Sequence, residues 1–241
     1  MLFRKRFRRR ERVARSCSCP VSLFGRPGSE QTPELHLDAQ DENGEAWRQL
    51  LALIDEAAES GVTELAPALE LGPELWPQIV TLPPTIGRLT EVRQLSLYGS
   101  NLRSLPPQIG QLRSLTNFVP YTSYRLHWFP YEITRCAALV DSTVSTRALY
   151  GNHKHRPAFP ELPVELPPEL TPDRCSVCDG AFADGPMLQR WTSATVATDI
   201  LPLLVHACSE DCLGALPAPP AGYHPSPHRG GGEVVPDPAT L

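Results

Sequence analysis

No run of apolar residues in this 241-residue chain approaches the 18 that a membrane-spanning helix requires. The N-terminus is basic, yet it lacks the apolar core of a secretory signal. Motifs of common enzyme chemistry are missing too: there is no GxSxG elbow, no GxxxxGK[ST] phosphate loop, no GxGxxG and no HExxH. Residues 172–216 hold only two basic side chains, Arg174 and Arg190, which argues against strong phosphate contacts there. The cysteines number seven, an odd count that does not suit a disulfide framework. These absences predict a non-catalytic protein of a reducing compartment, expected to be cytoplasmic and without a membrane span.

The net charge of −5 conceals a polarised chain. Arg4, Lys5, Arg6, Arg8, Arg9, Arg10, Arg12 and Arg15 face only Glu11 within the first fifteen residues, so a basic arm precedes an acidic body. An acidic body is a poor match for a dedicated nucleic-acid-binding domain. The 27 prolines and 16 glycines fall short of a low-complexity chain and predict folded units with proline-rich joints.

One stretch organises the rest. LPPTIGRLTEVRQLSLYGSNLRS at 82–104 is echoed by LPPQIGQLRSLTNF from Leu105, at a period of 23. Leu82, Pro83, Pro84, Ile86, Gly87 and Leu89 match Leu105, Pro106, Pro107, Ile109, Gly110 and Leu112. Phe129-Pro130-Tyr131-Glu132-Ile133 replays the segment after 24 residues. Units of this length cannot bury their own leucines and must stack. Val92, Leu95, Leu97 and Leu102 fit L-x-x-L-x-L-x-x-N-x-L, with Ser100, and then Ser123, at the asparagine position. Cys136 falls where Leu89 and Leu112 sit and reads as a buried hydrophobe. Upstream, Trp47, Leu50, Leu51, Ile54, Ala57 and Ala58 form one helical stripe, with Asp41 or Asn43 as cap and Gly61 as stop. Leu69 and Leu71 supply the L-x-L pair of a degenerate first unit within 62–81.

From about Trp47 onward these motifs resemble the bacterial-type leucine-rich repeat family. The resemblance implies a short solenoid with a parallel sheet, a capping helix in front and a concave face that binds protein partners. Residues between the buried leucines then point outward. They include Gln94, Thr116, Val140 and Ser145, and the candidate partner-binding set is Arg93, Ser96, Tyr98, Asn117, Val119, Tyr121, Asp141 and Thr143.

The second signal is Cys175-x2-Cys178 and, after 29 intervening residues, Cys208-x3-Cys212. A C-x2-C knuckle and a C-x3-C at a helix start can each present two thiolates to one ion, and four sulfurs favour zinc in a closed structural site. Met187 to Trp191 and Leu201 to Val205 read as strands of an intervening hairpin, and Ser209 as the cap of a helix. Knuckle, hairpin and helix resemble a treble-clef zinc finger of the TRASH/MYM-like group, departing from it in the length of the middle segment. His206 is a substitute ligand, and His153 and His155 form an isolated HxH pair.

The expected fold class is therefore α/β: a short leucine-rich repeat solenoid with a capping helix, plus a small treble-clef-like zinc finger. The expected organisation is a disordered basic arm (1–40), repeat domain (41–156), proline-rich linker or strap (157–171), zinc finger (172–216) and disordered tail (217–241). The expected role is a protein–protein adaptor with a structural Zn2+. The alternative is a nucleic-acid-associated or metal-responsive regulator acting through the finger and the basic arm.

Overall fold

The computed structural model describes residues 35–123, 125–144, 159–182 and 187–231. Arg4 to Arg15, Cys17, Cys19, Ser145, His153 and His155 lie outside them. Helices and sheets are mixed, and no described helix is long and apolar enough to cross a membrane.

Helix α1, Glu45–Ser60, buries Trp47, Leu50, Ile54 and Ala57 of the stripe read from the sequence, together with Ala46, and leaves Leu51 and Ala58 half-buried. Its N-cap is Gly44, which offers no side-chain bond, and not Asp41 or Asn43. The Asp41 carboxylate instead accepts from the Asn43 amide in the preceding turn. Gly61 ends the helix at φ 62°, a left-handed conformation that glycine adopts without steric cost.

Strand β1 (Glu64–Leu65) follows, then α2 (Pro67–Leu75), and this pair corrects the first repeat. Leu69 and Leu71 lie in α2, and Leu69 is 81% exposed. Pro67 sits in the first turn of α2 and starts a helix where a strand pair was expected. Leu65 is the residue that pairs with Leu95.

Strands β2 (Gln94–Ser96) and β3 (Asn117–Val119), then β4 (Phe129–Pro130) and β5 (Asp141–Ser142), come next. The parallel order is β1-β2-β3-β5, and Gln94, Asn117 and Asp141 stand in register, the 23- and 24-residue steps of the sequence. Each step returns through a 3-10 turn: Pro84–Arg88, Pro107–Gln111 and Tyr131–Arg135. Leu82, Ile86, Leu89, Leu95, Leu105, Ile109, Leu112, Phe118 and Ile133 are at most 1% exposed and form a continuous core. Cys136 joins that core, donates to the Ile109 carbonyl and has its thiol pushed up to about 11 by burial. At the asparagine positions, Ser100 and Ser123 hydrogen-bond each other at 2.6 Å, and Ser123 also donates to Leu97 O.

Two long strands complete the molecule: β6 (Leu188–Val196) and β7 (Asp199–Ala207), an antiparallel hairpin longer than the sequence suggested. β7 also pairs in parallel with β4, so the order of the second sheet is β4-β7-β6. Its residues enter three apolar clusters in turn. Leu201 and Leu203 join the repeat core, and Leu204 joins Trp128, Phe159, Leu162, Leu170 and Trp191. Val205 and Ala207 pack with Cys175 and Leu213. The boundary read at 171/172 is therefore not a packing boundary.

The expected linker and tail are corrected in the same way. Phe159, Leu162 and Leu170 are buried, and Trp191 exchanges backbone bonds with His228, at 2.8 and 3.0 Å. Residues 35–40, read as part of a disordered arm, run along the repeats at two residues per step. His36 meets His127 at 4.9 Å, Asp38 pairs with Arg103, and Gln40 accepts from the Val80 amide at 2.8 Å.

Candidate functional site

The predicted face residues occupy one side of the β1-β2-β3-β5 sheet. Alternation buries Leu95, Leu97 and Phe118 and leaves Ser96, Asn117, Val119 and Thr143 half-buried. Arg93, Tyr98, Tyr121 and Asp141 are exposed. Ser96 stands opposite Val119, and Asn117 donates to the Asp141 carboxylate at 3.4 Å. Tyr98 and Tyr121 stack with ring centroids 5.9 Å apart, although 48% and 41% of their surfaces are exposed. Two large exposed aromatics held in a stack, their planes 27° apart, are a preorganised contact, since stacking has already restricted their rotamers.

The four cysteines converge. Each of Cys175, Cys178, Cys208 and Cys212 offers a sulfur, and these atoms lie within 4.8 Å of one another. Cys178 and Cys208 are separated by 3.7 Å and Cys208 and Cys212 by 3.6 Å, far beyond the roughly 2 Å of a disulfide. A tetrahedral ion with metal–sulfur bonds of about 2.3 Å would place its sulfurs about 3.8 Å apart, so the donor set fits such an ion. Local elements explain the convergence. The knuckle turn lets the Asp179 amide reach Cys175 O and the Gly180 amide reach Cys178 Sγ. Ser209 accepts from the Cys212 amide and caps helix α3, Glu210–Gly214.

The thiols differ electrostatically. Burial pushes Cys175 up, but amide donors from Cys178, Val177 and Cys208 outweigh it and bring the thiol down to about 6. The sulfurs of Cys212, Cys178 and Cys175 push Cys208 up to about 12. A cation among the sulfurs would offset the repulsion that raises Cys208. His206 is not among the clustered ligand atoms; its ring lies 3.3 Å from the Gln189 amide nitrogen.

Sequence reading missed the residues that tie this cluster to the repeats. Glu132, in the third 3-10 turn, is 2% exposed and accepts from Ser176 of the knuckle at 2.7 Å. Burial raises its carboxyl above the usual range, and the Ser176 hydroxyl partly offsets this. Arg135 donates to the carbonyls of Cys175 and Ser176 at 3.0 and 3.1 Å and pairs with Asp179. At the other end of the hairpin, the Asp199 carboxylate accepts from Ser142 Oγ and from the Val144 amide. A signal for this bond was present in the sequence: Ser142 occupies the core position that Leu95 and Phe118 fill elsewhere.

No protein-family model and no curated protein matches the chain. Among solved structures, an LRR protein of Leptospira interrogans is similar at 21% identity over 38% of this chain and 33% of that one, with a TM-score of 0.25. The chain thus spans about a third of that protein's length.

Proposed function

We propose that this chain is a non-catalytic adaptor of the leucine-rich repeat kind, binding a protein partner on the open face of the β1-β2-β3-β5 sheet. The observation that carries the reading is the stacked, exposed pair Tyr98 and Tyr121, set among Arg93, Ser96, Asn117, Val119, Asp141 and Thr143 on adjacent strands. Aromatic anchors beside hydrogen-bonding groups are the usual composition of an interface centre. The 23-residue period supports the family reading independently. The four cysteines act in this reading as a structural Zn2+ site, because four thiolates leave no open position for chemistry.

An affinity capture comparing wild type with the Tyr98→Ala/Tyr121→Ala double variant tests the face. Partners retained by wild type and lost by the variant, with an unchanged unfolding midpoint, are expected. Identical captured sets from both proteins would remove the face from consideration.

A further inference from the structure

We infer that occupancy of the four-cysteine site controls the order of β5, the last strand of the proposed binding face, through the β7 strand. The inference rests on the adaptor and metal readings above and adds the regulation of that face.

β7 runs nine residues, Asp199–Ala207, a span of roughly 26 Å at about 3.3 Å per residue. Its C-terminal end belongs to the metal site. The Cys208 amide donates to Cys175 Sγ at 3.4 Å, Ser176 Oγ accepts from the His206 amide at 3.0 Å, and the Ser176 amide donates to His206 O at 2.8 Å. Its N-terminal end belongs to the face. Asp199 holds Ser142 and Val144, while Thr198 Oγ1 accepts from the Ser142 amide at 3.2 Å and donates to its carbonyl at 3.0 Å. Between these ends the strand is bonded to β6 throughout and to β4 at Leu203 and Leu204.

β5 depends on those distant bonds more than its neighbours do. It is two residues long and, among the described residues, pairs with β3 alone. Its inward residue is Ser142, so it lacks the apolar anchor that Leu95 and Phe118 give β2 and β3. A buried hydroxyl deprived of its partner is destabilising, so β5 is stable where Asp199 is placed. Placement of Asp199 is a question of hairpin register. Side chains alternate along a strand, and a slip of one residue would turn the carboxylate to the opposite face. At the cysteine end the strand is fastened by Ser176 and by the Cys175 sulfur, whose placement a bound ion would fix. Loss of the ion thus releases β7 at one end and Asp141 and Thr143 at the other.

Hydrogen exchange on the full chain tests this, with Zn2+ bound and after chelation, and with metal content measured by mass spectrometry in each sample. The amides of Ser142 and Val144 should exchange at least about tenfold faster without Zn2+, while those of α1 keep their protection. Asp199→Ala should keep its Zn2+ and show fast exchange at Ser142 and Val144 even when loaded. Asp199→Asn, which retains an acceptor oxygen, should fall between Asp199→Ala and wild type. Unchanged protection of Ser142 and Val144 after Zn2+ removal overturns the coupling, and so does their loss together with α1 as general unfolding. Slow exchange in loaded Asp199→Ala also overturns it. A wild-type chain that binds no Zn2+ refutes the metal reading itself, and a chain that binds Zn2+ without coupling refutes only this inference.

Discussion

At the scale of single residues, small side chains and buried polar groups set how closely the turns approach. The repeated glycines Gly87 and Gly110 lie where successive 3-10 turns stack, but they are not equivalent. A Cβ on Gly110 would run into the backbone carbonyl of Glu132, whereas one on Gly87 would first meet the movable end of Gln111. Gly110→Ala should therefore cost about 1–3 kcal/mol of stability, the range for overpacking a tight core. Gly87→Ala should cost less, because Gln111 can turn aside, and urea midpoints of the two variants would reveal the order. Equal losses would show that the backbone near Glu132 yields as readily as a side chain. The repeat made both glycines legible in the sequence. The difference between them was not, because it depends on which atom of the next turn lies opposite.

At the scale of elements, His228 forms an isolated antiparallel bridge to Trp191 on the edge of β6. His228 is 8% exposed, its Nδ1 accepts from the Gly230 amide at 3.0 Å, and its ring meets Phe159 at 4.7 Å. Burial, with a smaller contribution from His224, pushes the imidazole down from 6.5 to about 3. A folded value below the unfolded one means that the folded state rejects the proton. This stabilisation is therefore complete above about pH 6.5 and is lost progressively as pH falls toward 3. Urea unfolding at several pH values should show wild type losing more stability over that window than His228→Gln, by at most about 1.4 kcal/mol per pH unit. Parallel pH profiles would mean that the tail detaches before His228 titrates. Composition misled here: PAPPAGYHPSPHRGG carries no periodicity, and its contacts are with Trp191 and Phe159, distant in sequence.

At the scale of the molecule, β7 joins the two parts that the sequence separates. Val196, Leu201 and Leu203 fill the end of the repeat core that would otherwise face water. Fully burying a side chain of this size contributes about 1.5–3 kcal/mol. A chain limited to residues 35–171 should therefore unfold at much lower urea than the full chain and bind a hydrophobic dye. A truncated chain with the full-length midpoint would show that the repeats close their own end.

Much of this protein follows from local rules. The 23-residue period, the apolar stripe of α1 and the two cysteine pairs are short-range patterns. Their physics depends on neighbours a few residues away or one repeat away, so they are readable without coordinates. What the tertiary structure decided is the course of β7 and everything fastened to it: the Asp199–Ser142 bond, the Glu132–Ser176 bond, and the burial of residues read as linker and tail. The two bonds join positions 57 and 44 apart, with no repeat to relate them, and a single polar residue in a core position was their only trace in the sequence.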